Sequence, residues 1–304
     1  MFHRLKLSVA VLALMAGAAA AKDSVTIGMQ LEPPNLDPTS GAAAAIREVT
    51  QINIYEGLTR FNADGSIGPG LAASWDVTEG GKVWTFNLRE GVKFHDGTTF
   101  DANDVKFTLD RAMAPDSTNA QKQLFAPIES VDVVDAKTVK ITLKAPSGNF
   151  GFNMAWGDAS IMAPESVATN ATNPVGTGPY RLGQWVQGDR IELVANPDYW
   201  GEKPGIPKAV FKVIADPTAA FAAMMSEDID VFPVFPAPET PRTTVTPQSG
   251  ISAEKFCNTA CPPNDFVMCC NTILSSIAAN PPHAPHQEPL QQHRKRYNHQ
   301  RPGK

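Results

Sequence analysis

Several common functional signatures are absent from this sequence. No window of about 20 apolar residues follows the N-terminal segment, so no membrane span is expected in the mature chain. There is no GxSxG motif, and the glycine-rich stretch at 175–180 lacks a Gly-Lys-Ser/Thr ending, which argues against a serine hydrolase and a phosphate-binding loop. A formal net charge of −5 argues against nucleic acid as a partner, because phosphate binding needs clustered Lys and Arg.

Cysteine is missing from the first 256 residues, and all four cysteines lie near the C-terminus: Cys257, Cys261, Cys269 and Cys270. Their spacing lacks the paired CxxC geometry of a structural zinc site, and the nearby histidines lie in a Pro- and Gln-rich run. We therefore predict no metal site and no cofactor. The alternative is a secreted metal-dependent hydrolase whose tail supplies the metal ligands. This alternative predicts that zinc stays bound to the protein through purification.

The N-terminus carries the pattern of a secretory signal peptide over residues 1–21. Two basic residues precede an apolar run, and small residues occupy the −3 and −1 positions of a cleavage site: Arg4, Lys6, Leu7–Ala16, Ala19 and Ala21. No cysteine stands at the cleavage point, so a lipid anchor is not supported. This pattern predicts a soluble protein of the periplasm.

The stretch from Gly68 to Arg111 has the pattern of two strands, a loop and a helix. Trp84, Phe86 and Leu88 alternate with polar residues, and the Glu79-Gly80-Gly81 link before them suits a tight hairpin. Asp101 then precedes residues at helical spacing, with Asp104 three positions later, which predicts a capped helix. A further hairpin is predicted over 130–144.

The flanking segments predict an α/β unit. Strands are expected at 24–31, 180–187, 190–195, 208–215 and 229–231, and a helix is expected after Asp216-Pro217, which combines a capping residue with proline at the first helical position. Apolar spacing over 41–61 favours another helix. Gly176 and Gly178 are expected to let the chain cross close to another backbone segment.

Two long blocks carry a family resemblance: LAASWDV with WTFNLREGVKFHDGTTFDANDVKF, and NPVGTGPYRLGQWVQGDRIELVANPDYWGEKP. They resemble the peptide-type solute-binding proteins of bacterial ABC importers, with the likeness spanning about 24–235. The resemblance implies an α/β fold, a periplasmic-binding-protein type II-like lobe with an appended small α+β domain and no recognisable second lobe. The domains implied are a signal peptide (1–21), the first lobe (22–66 and 171–240), the appended hairpin-rich domain (67–170) and an aberrant tail (241–304).

Candidate ligand-binding residues come from two segments. In the resembling family the loop after the first strand borders the ligand cleft, which makes Glu32, Pro33 and Asn35 candidates; a rigid surface turn is the alternative. Trp156 is suited to stack on a ligand, and Asp158 to pair with a ligand ammonium, although a buried tryptophan is more often part of a core. His95 beside Asp96 is expected to be structural, since no nucleophile motif accompanies it.

The tail from Pro241 to Lys304 contains nine prolines and loses all periodicity. The hypothesis is a frameshift near Thr240, which would make the tail disordered and the chain a non-functional product. The other interpretation, implied by the resemblance, is a monomeric, non-enzymatic receptor that binds a small peptide or related solute and delivers it to an inner-membrane ABC permease. Glutathione, opine, sugar and nickel-complex binders share these motifs.

Overall fold

The computed structural model describes residues 22–233. The signal-peptide pattern and the Cys- and His-containing tail therefore lie outside the described residues. Within the described part, the helices and strands are β1 Ser24–Met29, α1 Ala44–Thr50, β2 Thr59–Phe61, β3 Ile67–Pro69, β4 Ala72–Thr78, β5 Val83–Leu88, α2 Ala102–Met113, β6 Ile128–Asp135, β7 Thr138–Leu143, α3 Phe150–Asn153, β8 Tyr180–Val186, β9 Arg190–Ala195, β10 Lys208–Val213 and α4 Pro217–Met225.

The first sheet joins strands from both ends of the described chain in the order β1-β10-β9-β8. β1 runs parallel to β10, whereas β10, β9 and β8 pair antiparallel. Val231 adds an isolated parallel bridge to Ile27 on the other side of β1. The buried faces of these strands and of α1 share one hydrophobic cluster, which includes Val25, Val49 and Phe211. The strand, helix and parallel return after residue 208 give this sheet an α/β character.

The second sheet has the order β4-β5-β7-β6 and is antiparallel throughout. β5 confirms the predicted alternation, because Trp84, Phe86 and Leu88 are buried while the residues between them are partly exposed. α2 lies against β6 and β7. It buries Val105 and Leu109 in a second hydrophobic cluster, which also contains Trp84, Phe86 and Leu88.

The start of α2 has the predicted cap. The Asp101 carboxylate accepts from the backbone N–H of Asn103 at 2.7 Å, and the Asp104 carboxylate accepts from the backbone N–H of Asp101 at 2.8 Å. This reciprocal capping box satisfies helix donors that have no partner within the helix. Burial raises the pKa of Asp104 to about 6.

A glycine crossing ties the region of the second sheet to the first sheet. The Gly178 N–H donates to the Ile54 carbonyl at 2.9 Å, and a Cβ added at Gly176 would lie 2.0 Å from that carbonyl oxygen. His95 joins the same crossing: its Nε2 lies 3.0 Å from the Gly178 oxygen, and its Nδ1 accepts from the Gly176 N–H at 3.3 Å. The predicted close approach of two backbone segments is confirmed, and the His95 ring stabilises it by bonding to the backbone of Gly176 and Gly178.

Two secondary-structure predictions are corrected. The helix expected over 41–61 ends at Thr50, because the chain turns at Ile52, which has a left-handed φ of 63°. The carbonyls of the residues that follow accept from the entry to β8, with Asn53 bonded to the Tyr180 N–H at 2.8 Å. Tertiary hydrogen bonds therefore take the carbonyls that a longer helix would use. The strand expected at 229–231 is reduced to the single bridge from Val231.

No helix between residues 22 and 233 has the length and apolar character needed to cross a membrane.

Candidate functional site

Segments distant in sequence meet on one surface beside the end of β1. We call this surface the loop–helix face and define it by residues 37–47, 111–119 and 154–160. Thr118 Oγ1 donates to Ser40 Oγ at 3.3 Å, and Arg111 donates to Thr39 Oγ1 at 2.6 Å. Asn119 Nδ2 donates to the Asp158 carbonyl at 2.9 Å. Residues that precede β2 and residues between 111 and 160 thus build this face together.

Asp158 forms a buried ion pair at the centre of the face. Arg47 Nε lies 2.9 Å from Asp158 Oδ2, and Arg47 Nη2 lies 2.5 Å from Oδ1. The carboxylate is fully buried and the arginine side chain is only 10% exposed. Two parallel bonds of this kind fix both side chains. The carboxylate is already neutralised, so a ligand ammonium would have to compete with Arg47, and the predicted ligand role of Asp158 stays a prediction.

Trp156 is partly buried and packs edge-on against two phenylalanines. Its ring centroid lies 6.3 Å from that of Phe61 and 6.3 Å from that of Phe152, and these two rings are 4.8 Å apart. Phe152 is 40% exposed. The three rings therefore form an aromatic cluster that reaches the surface, which suits a tryptophan that contacts both the core and a ligand.

Trp156 also lines a cavity of ≈ 30 Å³ that we call the indole pocket. Its lining includes Gln51, Glu56, Arg60, Trp156, Ser160 and Trp200. The Arg89 guanidinium lies 4.5 Å from the centroid of the Trp200 ring. Two indoles and several polar groups thus converge where the α1–β2 connection meets residues 155–160 and 199–200.

Glu56 anchors one wall of the indole pocket. Its carboxylate accepts three hydrogen bonds of 2.9 Å, from Thr177 Oγ1, the Tyr199 hydroxyl and Trp200 Nε1. Burial raises the pKa of Glu56 to about 7, while the three hydrogen bonds and the charge of Arg60 oppose the rise. No periodicity or motif in the sequence marks Glu56, because all three donors come from segments more than 100 residues away.

We expect Glu56→Gln to flatten the pH dependence of stability. The folded state holds the Glu56 proton more tightly than the unfolded chain does. Protonated Glu56 therefore contributes stability that is fully present below about pH 4.5 and is lost as pH rises through about 7. Glutamine cannot ionise and still accepts a hydrogen bond. We expect urea unfolding to show that the free energy of unfolding of the variant, relative to that of the wild type, is higher at pH 8 than at pH 5 by on the order of 1–3 kcal/mol. A pH-independent difference between the two proteins would contradict this.

Of the three candidates after β1, Glu32 ties the loop to the β8–β9 hairpin and Asn35 bonds within the loop. Glu32 Oε1 accepts from Trp185 Nε1 and from the Gly188 N–H, each at 2.9 Å. Pro33 is buried, and Asn35 accepts from the Asp37 N–H at 2.9 Å. No described contact joins these three residues to Trp156 or Asp158. Their role as cleft residues therefore stays a prediction.

No group of three or more His, Cys, Asp or Glu side chains within residues 22–233 is placed to hold a metal ion.

Curated relatives of this chain are named for different solutes. The chain is 38% identical over 193 residues to a glutathione-binding protein of Pectobacterium atrosepticum, covering 62% of this chain and 37% of the relative. It is 34% identical to the nickel-binding periplasmic protein of Escherichia coli, covering 70% and 41%. The chain thus spans less than half the length of these relatives.

Solved structures match the described fold. The oligopeptide-binding protein of Bacillus subtilis in complex with a nonapeptide superposes with a TM-score of 0.66 at 28% identity, covering 70% of this chain and 44% of that one. NikZ from Campylobacter jejuni in complex with Ni(L-His) gives a TM-score of 0.63 at 31% identity, covering 69% and 43%. The fold is therefore that of a periplasmic-binding-protein type II-like lobe.

The family model for the middle region of bacterial extracellular solute-binding proteins, family 5, matches residues 66–272. The matched region extends beyond residue 235. The frameshift hypothesis concerns residues outside the described part and stays a hypothesis. The match covers more than half of the sequence, and the chain belongs to the bacterial extracellular solute-binding proteins, family 5.

Proposed function

We propose that this chain is the periplasmic solute-binding component of an ABC importer and that it binds peptides or closely related solutes at the loop–helix face. The observation that carries the proposal is the family match together with the surface centred on Asp158 and Trp156. Relatives named for glutathione, D,D-dipeptides and nickel support a solute-binding role with variable cargo.

The face has the groups that a peptide needs. The Trp156 edge and the adjoining exposed ring of Phe152 offer apolar contact area, and the exposed Thr118 is bonded to Ser40 on the same face. Backbone hydrogen bonds and terminal charges give affinity, while roomy pockets tolerate different side chains. Closure of two lobes over the solute, which a membrane permease then distinguishes from the open form, is the mechanism that the family implies. Residues 22–233 supply the first of these lobes.

No bond chemistry is part of this proposal. The only described histidine, His95, has both ring nitrogens placed against the backbone of Gly176 and Gly178. Binding, enclosure and release require no nucleophile or general base. We further propose that the receptor acts as a monomer.

Thermal unfolding of the purified full chain with a mixed di- and tripeptide pool tests this function. A ligand that binds only the folded state raises the unfolding midpoint, with about 2.7 kcal/mol of stabilisation at 100 times its Kd. We expect an upward shift with the peptide pool and none with an equal concentration of the free amino acids. A midpoint that no peptide fraction moves would contradict the proposed function.

A further inference from the structure

Two polar side chains that line the indole pocket, those of Ser160 and Arg60, form no hydrogen bond or ion pair with residues 22–233. Ser160 is 1% exposed, and none of the described residues forms a hydrogen bond with its hydroxyl, although its backbone N–H is bonded to Gly157. The Arg60 guanidinium is exposed at the same pocket and forms no ion pair within the described part. The Ser160 hydroxyl can therefore donate to a ligand or water in the pocket.

The size of the pocket restricts what it can take. Its ≈ 30 Å³ exceeds the roughly 10–15 Å³ that one water requires, so it has room for about two oxygen-sized groups. The indoles of Trp156 and Trp200 contribute to its lining. A small planar group with two acceptor oxygens matches this volume, whereas a whole peptide does not.

The hydrogen-bond donors that line the indole pocket favour a negatively charged ligand group. Arginine offers a planar fork of N–H groups that fits a carboxylate, and a serine hydroxyl adds one more donor. Gln51 Nε2 also lines the pocket, with one bond at 3.3 Å to the Ala155 carbonyl. The Glu56 carboxylate already accepts three donors from the protein.

We propose that the indole pocket is a subsite for a solute carboxylate, which Arg60 and Ser160 bind between the two indoles. This inference rests on the proposed function and deepens it, because it favours solutes that end in a carboxylate. The loop–helix face then holds the body of the solute while the pocket fixes one end.

Carboxylate binding at this position is linked to Glu56. An anion beside Glu56 favours its protonated form, so binding should strengthen as pH falls from about 8 to 6. The other charged or titratable groups that face Glu56 are Arg60, Tyr199 and, across Trp200, Arg89. His95 reaches the same region only through Gly176 and Gly178, and burial lowers its pKa further below neutrality.

The test compares trialanine, trialanine amide and sodium acetate by calorimetric titration of the full chain. At pH 6 we expect trialanine to bind at least about tenfold more tightly than its amide, since a charge-assisted bond is lost in the amide. Arg60→Gln should bring the two peptides within about twofold, and Ser160→Ala should weaken trialanine several-fold. Glu56→Gln should keep the acid preference and remove its change with pH.

Lys106→Gln is the matched control, because Lys106 lies on α2 with its ammonium bonded to Asp110 and the Val131 carbonyl. It should keep the wild-type acid preference. Equal binding of acid and amide, or a preference that survives Arg60→Gln, would overturn the subsite while leaving the proposed function intact. Acetate binding that depends on Arg60, with no peptide binding more tightly than acetate, would uphold the subsite and contradict the proposed function. Absence of binding by all three probes would overturn both.

Discussion

Replacing Asp158 with alanine is expected to lower the free energy of unfolding by about 3–5 kcal/mol, because Arg47 would remain buried without its anion. The guanidinium is only 10% exposed, and its remaining contacts are carbonyls of residues 41–43 at 3.4–3.5 Å. These long bonds do not replace a carboxylate with two close oxygens. Urea unfolding measures the effect.

The matched control for Asp158→Ala is Glu90→Ala, which removes the exposed ion pair with Lys137. Exposed pairs contribute about 0–1 kcal/mol, so this variant should unfold almost as the wild type does. If the Asp158 variant lost no more stability than the Glu90 variant, the Arg47–Asp158 pair would not be the central tie of the loop–helix face.

The second large effect is expected at Gly176. A Cβ at this position would lie 2.0 Å from the Ile54 oxygen and 2.7 Å from Tyr55 Cδ1, so Gly176→Ala must push two backbone segments apart. We expect a loss of at least about 3 kcal/mol, at the upper end of what overpacking costs, or failure to accumulate folded protein. Urea midpoints and near-UV circular dichroism provide the measurement.

Gly148→Ala is the control for this prediction, because no atom lies within 4 Å of the Cβ it would add. It should change stability by less than about 0.5 kcal/mol. A Gly176 variant as stable as the Gly148 variant would show that the two backbone segments can separate without cost, and would contradict the account of the crossing.

Local patterns predicted much of the fold because they depend on neighbouring residues. The alternation of Trp84, Phe86 and Leu88 predicts β5, and the Asp216-Pro217 pair predicts the start of α4. The end of α1 could not be predicted in this way. Its residues favour a longer helix, but the carbonyls of Asn53 and Ile54 bond to residues 178–180. Contacts across more than 100 positions leave no trace in local spacing.

The same distinction between local patterns and distant contacts applies to the candidate site. Trp156 was predicted from its residue type, and it borders the indole pocket. The partner of Asp158 was not predicted, because Arg47 lies 111 residues earlier. Glu56 and Ser160 were missed since an isolated Glu or Ser gives no signal without its neighbours in space. The roles of Glu32, Pro33 and Asn35 rest on family resemblance and stay untested.

The central claim is that solute binds at the loop–helix face. The most direct test is a titration of the isotope-labelled full chain with trialanine, following backbone and indole N–H signals by NMR. The account predicts saturable shifts concentrated in residues 37–60, 111–119 and 154–160, including the Trp156 indole. Shifts confined to the outer surface of β6 and β7, with the Trp156 indole and Arg47 unchanged at saturation, would contradict it.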